Sequence, residues 1–266
     1  MTVQSSARSD YAVGVLLLIA SAVTFSSTGI FSKGVEAGAW AVIFWRAVFA
    51  ALSTTAYAAS RGTLRQEVHE MGRPGLAVGV IGAAGTAAPF LAALLAWLTI
   101  GERVTRRTAL GAAGALVGVI VIVAGSVGSV SLTGDGVALI MTLVMAMIMV
   151  IYRARPETPS AGPSVLQSLF LILIAAVFGE PLQTALVEIA ILAAFGVMHS
   201  IASVTLAEGA KRAPSGQTAL IGTLETPLAP LLAFLFLTEI PTTPTFIGGA
   251  VVCTAVLFSL REKPGH

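Results

Sequence analysis

Apolar runs of bilayer-crossing length recur along this chain with little between them. They lie near residues 11–32, 38–59, 75–100, 108–126, 135–152, 164–179, 185–207, 214–238 and 243–260, nine in all. A helix crosses the hydrocarbon core with about 20 mostly apolar residues, in a range of roughly 17–25. No connection is long enough to form a water-soluble unit. Of the 266 residues 56% are hydrophobic and 11% charged, and mean hydropathy is +0.92. A water-soluble core of this length cannot hide so much apolar surface, so the bilayer is the solvent. A net charge of +2 is too small for a nucleic-acid surface. The sole cysteine, Cys253, sits in an apolar run, which excludes a disulfide framework and a multi-cysteine metal site. Helices are required: a lone strand in lipid leaves its backbone unsatisfied, and the alternation of a membrane barrel is absent. Arg8 ahead of the first run and Ala20-Ser21-Ala22 within it also resemble a cleaved signal. A polytopic chain is targeted by its first span and needs no cleavage.

Charge predicts orientation. Thirteen of the fifteen Lys and Arg fall in the N-terminus, the C-terminus and loops 60–74, 101–107, 153–163 and 208–213. The loops 33–37, 127–134, 180–184 and 239–242 hold only Lys33. Basic loops stay in the cytoplasm. The N-terminus is therefore expected inside, and basic and non-basic connections should alternate. They do, except that segment 75–100 has a basic loop at both ends.

An internal repeat explains the exception. Shifted by 137 residues, 93–121 lies on 230–258 without a gap. Leu94, Leu95, Ala96, Leu98 and Glu102 meet Leu231, Leu232, Ala233, Leu235 and Glu239; Thr108, Gly111, Ala113 and Val119 meet Thr245, Gly248, Ala250 and Val256. Upstream the shift falls to 122 at Gly14-Val15 and to 114 around Gly82. The first repeat is thus 23 residues shorter than the second, the difference between shifts of 137 and 114, and the loss falls between Gly82 and Ala93. Restoring it makes ten spans, five per repeat, with every basic loop inside. An odd number of spans inverts the second repeat, as in many secondary transporters.

Several short motifs follow this frame: Phe25-Ser26-Ser27-Thr28-Gly29 with Lys33 in the first span, Phe44-Trp45-Arg46 in the second, Gly101-Glu102-Arg103, and Leu224-Glu225-Thr226-Pro227-Leu228-Ala229-Pro230-Leu231. In order, spacing and duplication the chain resembles the EamA-type transporters of the drug/metabolite transporter superfamily over about residues 11–260. The fold implied is an all-α integral membrane protein of two inverted five-helix repeats, 11–126 and 135–260. The first is shortened, so that about nine membrane helices remain. The chain departs from that pattern in lacking the end of the third span, its outer loop and the start of the fourth. Residues 75–100 then form either one long helix kinked at Pro89 or a re-entrant hairpin bent at Gly82–Pro89. At about 1.5 Å per residue the segment suffices for one tilted crossing, and one helix is the geometry expected.

Ionisable groups inside lipid cost at least about 2.5–3.5 kcal/mol, so each needs a reason. Glu225, His199, Arg46, Ser27 and Thr28 are the candidate substrate- or proton-binding residues. In the ten-span register Arg46 lies about 12 Å below the outer face, and His199 and Glu225 roughly 20 Å down on consecutive antiparallel helices. They are placed to share a proton or bind a substrate amine. Pro227 and Pro230 each remove an intrahelical bond, freeing the carbonyls of Thr223 and Thr226 beside Glu225. Each candidate has a plainer role. Glu225 serves as a protonated polar link between helices, His199 bonds a carbonyl, and Arg46 and Lys33 snorkel to the interface. Ser26, Ser27 and Thr28 bond their own helix backbone.

Enzyme chemistry finds no support. The only aspartates, Asp10 and Asp135, lie at span edges, no HExxH or Cys/His ligand set occurs, and no glycine-rich phosphate loop opens a helix. The resemblance implies a secondary transporter exporting small metabolites or amino-acid-like solutes by alternating access, with proton coupling open to it, in a bacterial inner membrane. The alternative is a truncated or non-transporting structural membrane protein of the same lineage. The expected partners are a small-molecule substrate, the lipid bilayer and, for assembly as a homodimer, a second copy. No nucleic acid, metal or cofactor is expected.

Overall fold

The computed structural model describes residues 2–82, 105–124 and 132–261. In order these form α1 (Thr2–Ser26), α2 (Thr28–Lys33), α3 (Ala39–Ser60), α4 (Leu64–His69) and α5 (Gly72–Gly82). Then come α6 (Arg106–Ala124), α7 (Leu132–Ala154), α8 (Ala161–Phe178) and a 3-10 turn at Pro181–Gln183. The chain closes with α9 (Leu186–Arg212), α10 (Ser215–Gly222), α11 (Glu225–Leu237) and α12 (Thr243–Leu260). Among the described residues six stretches are long and apolar enough to cross a bilayer: Ser9–Phe31, Ala39–Ser60, Ala161–Phe178, Leu186–Arg212, Ser215–Leu237 and Thr243–Leu260. The protein is an all-α integral membrane protein, as its apolar runs predict.

Many large side chains point out, and alanines fill much of the interior beside Leu18, Leu192, Leu220 and Ile221. Val177, Phe236 and Leu173 are 77%, 68% and 65% exposed, whereas Ala146, Ala175 and Ala202 are fully buried. In lipid no hydrophobic force separates Leu from a hydrocarbon tail, so helices associate where small residues let backbones approach. Gly14 of α1 lies against Gly209 and Arg212 of α9, and Ser21 Oγ donates to the Ala202 carbonyl at 2.9 Å, so these two helices run antiparallel.

The α6–α12 crossing has a further property. Gly118 and Gly248 each lie against the other's carbonyl oxygen; a Cβ on Gly118 would stand 2.6 Å from that of Gly248. Displacing each residue by 137 positions turns this contact into Ala255 against Gly111. A Cβ on Gly111 would indeed stand 3.1 Å from the Ala255 carbonyl oxygen. One contact therefore occurs twice with its partners exchanged, the signature of a two-fold related pair.

Polar contacts sort the connections into two ends. At one end Arg212 Nε donates to Asp10 Oδ1 (3.1 Å), Ser160 Oγ to Glu208 Oε1 (2.7 Å), and the N–H groups of Ala161 and Gly162 to Glu67 Oε2 (3.0 and 2.8 Å). Arg153 there reaches the Lys211 carbonyl at 3.4 Å. At the other end Lys33 pairs with Glu239, the Glu36 N–H donates to Glu188 (2.7 Å) and Trp45 Nε1 to the Pro181 carbonyl (2.8 Å). Among the described residues the loops rich in Lys and Arg share one end, and the loops poor in them the other.

The contacts of α6 give its direction. Gly111 sits between Leu220 and Ser259, and Arg107 donates to the Arg261 carbonyl at 3.4 Å. α6 thus begins at the basic end, where α5 also begins, with Gly75 against Pro163. The expected single helix over 75–100, kinked at Pro89, and its alternative, a re-entrant hairpin bent at Gly82–Pro89, fall on residues 83–104, which lie outside the described residues.

Among the described residues one backbone position carries strain. Thr238 closes α11 with φ +57°; its N–H donates to the Phe234 carbonyl (3.1 Å) and that of Glu239 to the Ala233 carbonyl (3.5 Å). A β-branched residue is disfavoured in this left-handed conformation, and glycine is the usual helix terminator there. The matching position of the first repeat is Gly101. Thr238→Gly is expected to stabilise the protein by roughly 0.5–1 kcal/mol. A thermal unfolding midpoint in detergent that stays put or falls would contradict this account.

Candidate functional site

Two of the crossing helices are broken, and the breaks touch. α1 ends at Ser26 and α2 starts at Thr28. Three hydroxyls near the break bond their own helix: Thr24 to Ala20 (2.7 Å), Ser26 to Ala22 (2.6 Å) and Ser27 to Thr24 (2.6 Å). Such back-bonding bends a helix, which accounts for the discontinuity. The second break separates α10 from α11 at Thr223-Leu224, just ahead of Pro227. Proline cannot donate to the Thr223 carbonyl, and the Thr226 N–H takes it instead at 3.1 Å. The expectation of a free Thr223 carbonyl is therefore corrected, because the chain tightens by one residue to satisfy it. Ser26 Oγ also reaches the Glu225 carbonyl at 3.5 Å, joining the two breaks.

Glu225 is the first residue of α11. Its half-buried carboxylate has neither a hydrogen bond nor an ion pair among the described residues. Asp10, Glu67, Glu208, Glu36, Glu188 and Glu239 all lie at the two ends, so Glu225 stands apart from them.

Arg46 and His199 are brought together by Gly196. A Cβ at Gly196 would stand 2.6 Å from the Arg46 carbonyl oxygen, 2.6 Å from Phe49 Cβ and 2.9 Å from the Ala50 nitrogen, so α3 and α9 meet backbone to backbone. Arg46 Nη1 then lies 2.9 Å from His199 Nδ1 and 3.1 Å from Nε2. A guanidinium only donates, so the imidazole accepts and is neutral in this arrangement. The Arg46 head also sits 5.5 Å above the Phe195 ring, Phe31 stacks on Phe195 at 5.5 Å, and Phe25 meets His199 edge-on at 5.5 Å. No carboxylate is within ion-pair reach of Arg46 among the described residues.

Of the residues singled out in the sequence, Arg46, His199 and Glu225 therefore gather around the end of α1, where Phe25 meets His199 and Ser26 meets Glu225. Their pairing differs from expectation. His199 bonds Arg46, not Glu225, because the glycine crossing sets α3 against α9. Ser27 spends its hydroxyl on Thr24, and Thr28 is exposed. Lys33 is tied across the non-basic end to Glu239. Sequence reading missed the wall of Phe25, Phe31 and Phe195. Its only signal is an aromatic within a turn of each polar residue, which is too common in membrane helices to select.

Residues 132–261, which include His199, Gly196 and Glu225, match the EamA-like transporter family. This half of the chain belongs to that family. An EamA-like protein is a multi-pass membrane protein of the drug/metabolite transporter type, its partners a small-molecule substrate and the bilayer, and the family is one of transporters, not enzymes. Comparison with curated proteins gives no match. Among solved structures the EamA-like chain is similar to one described only as a crystal structure of a protein. Identity is 20%, the TM-score 0.67, and 96% of each chain is covered. This likeness supports the fold alone.

Proposed function

We propose that this chain is a secondary transporter that exports small metabolites, amino-acid-like solutes among them, by proton-coupled alternating access. One observation carries the reading: an acid and a guanidinium with no counter-ion among the described residues border two touching helix breaks. A buried charge without a partner is expensive unless a ligand supplies one. Arg46, over an aromatic wall, suits an anionic group of the solute. Glu225, at a half-helix start, suits a proton or a solute cation in turn. Discontinuous helices near the repeat interface are where transporters of inverted-repeat design place their sites. Two inverted repeats, 11–126 and 135–260, are proposed here, supported by the two-fold exchanged contact of α6 and α12. The basic end is the cytoplasmic one, with the N-terminus inside, since lysines and arginines resist translocation. The membrane is a bacterial inner membrane.

Two measurements test this. In cells carrying Cys253→Ala, Arg65→Cys and Arg155→Cys should react with an impermeant thiol reagent only after the cells are opened, whereas Leu182→Cys should react in intact cells. The reverse pattern rejects the orientation. In proteoliposomes, an imposed pH gradient should drive flux of amino-acid-like solutes above that of protein-free vesicles. Correctly oriented protein with no flux for any solute tested would identify a non-transporting relative.

A further inference from the structure

We infer that α4 and its surroundings form a binding site for an anionic phospholipid at the basic end of the bundle. α4 is the one short helix between α3 and α5, and its sequence is Leu-Arg-Gln-Glu-Val-His. At about 100° per residue its side chains divide into four edges. Glu67 takes the edge facing the bundle. Leu64 and Val68 share the next, Arg65 and His69 the one opposite Glu67 and so away from the bundle, and Gln66 the fourth. Leu64 and Val68 are 42% and 65% exposed. A cavity of about 720 Å³ is lined by Leu64, Arg65, Val68 and His69, the apolar edge and the cationic edge together.

The position of α4 is built into the fold. Glu67 Oε2 accepts from the N–H groups of Ala161 and Gly162, which opens α8. Gly162 lets the helices touch, since a Cβ there would stand 2.7 Å from the Glu67 carbonyl oxygen. The depth is marked by Tyr57, 38% exposed in the last turn of α3, whose hydroxyl accepts from Arg61 at 3.1 Å and whose ring lies under the Arg61 head. A tyrosine of this kind belongs at the headgroup level. α4 thus lies beside the bundle at the membrane surface. Its apolar edge meets acyl chains, and Arg65 and His69 meet headgroups, the arrangement of an interfacial amphipathic helix. Gln66 donates to Glu70 at 3.0 Å, away from both edges. The groove pairs a fixed cation and a ring donor with two aliphatic side chains. That chemistry fits a phosphodiester headgroup with its acyl tails and not a free anion, which would leave Leu64 and Val68 in water. The inference holds whatever solute is carried.

The test is retention of lipid by the purified full chain, read by native mass spectrometry after exchange into micelles doped with phosphatidylglycerol or phosphatidylcholine. Phosphatidylglycerol should be retained roughly fivefold better, the preference one arginine near an anionic surface supports. Arg65→Gln with His69→Gln should abolish the preference, and Leu64→Asn with Val68→Asn should reduce retention of both lipids. All four positions are exposed, so unchanged thermal unfolding is expected and separates lost binding from lost fold. Arg155→Gln, in another basic loop, should keep the preference. Equal retention of the two lipids, an equal loss in Arg155→Gln, or displacement of phosphatidylglycerol by millimolar inorganic phosphate would overturn the proposal.

Discussion

Replacing Glu225 by glutamine should leave a folded, membrane-inserted protein whose pH-gradient-driven flux falls to the level of empty vesicles, with solute exchange partly retained. Glutamine keeps the size of the side chain and its hydrogen-bonding capacity but holds it neutral. The substitution therefore preserves whatever packing Glu225 provides at the start of α11. What it removes is the change of charge between loading states, without which a proton gradient does no work on the carrier. The acid has no protein partner among the described residues, so no ion pair is broken. His199→Gln should have a smaller effect, because the glutamine amide oxygen accepts from Arg46 as the imidazole does. The measurement is flux into proteoliposomes with and without an imposed gradient. Gradient-driven flux by Glu225→Gln at the parent's rate would show that the acid is a link between helices and not the coupling group.

Gly196→Val should produce the largest structural loss. A Cβ at this position already stands 2.6 Å from a carbonyl oxygen of α3, and backbone cannot rotate away as a flexible side chain does. Valine adds two methyl groups beyond that, so α3 and α9 must separate. Overpacking of this kind costs about 1–3 kcal/mol. The same crossing holds Arg46 against His199 and the buried Thr54 and Ser200 hydroxyls 2.7 Å apart, so both pairs should part together. The expected outcome is a lower unfolding midpoint in detergent and loss of flux, with Gly196→Ala intermediate. Gly38→Ala, where the added atom meets nothing, is the control and should behave as the parent. An unchanged midpoint for Gly196→Val would show that the two helices are not held at this distance.

These two residues also separate what is legible in a chain of this kind from what is not. Glu225 stands out in the sequence because an acid inside an apolar run is costly wherever its helix packs. Gly196 carries no such mark: glycine is frequent in membrane helices, and only the approach of α3 makes this one indispensable. The same holds for Arg46 and His199, each visible as a charged or polar residue at depth. Nothing local paired them with each other, and the partner expected for His199 was Glu225. The breaks at Ser27 and Thr223-Leu224 fall between. Serines and prolines announced them, but that they meet through Ser26 and Glu225 emerged only in three dimensions.

By itself the sequence determined that the chain lives in a bilayer, where the six described spans lie, and that one carboxylate is carried inside. The physical reason is that lipid offers no hydrogen bonds, so each span must satisfy its own backbone and declare itself in a local run of apolar residues. Tertiary structure alone decided which helices cross, that α5 and α6 begin at the same end, and that Arg46 meets His199. Those outcomes rest on close approach of small residues such as Gly118, Gly248 and Gly196. In lipid that fit comes from shape shared by two distant segments and not from the hydrophobicity of either.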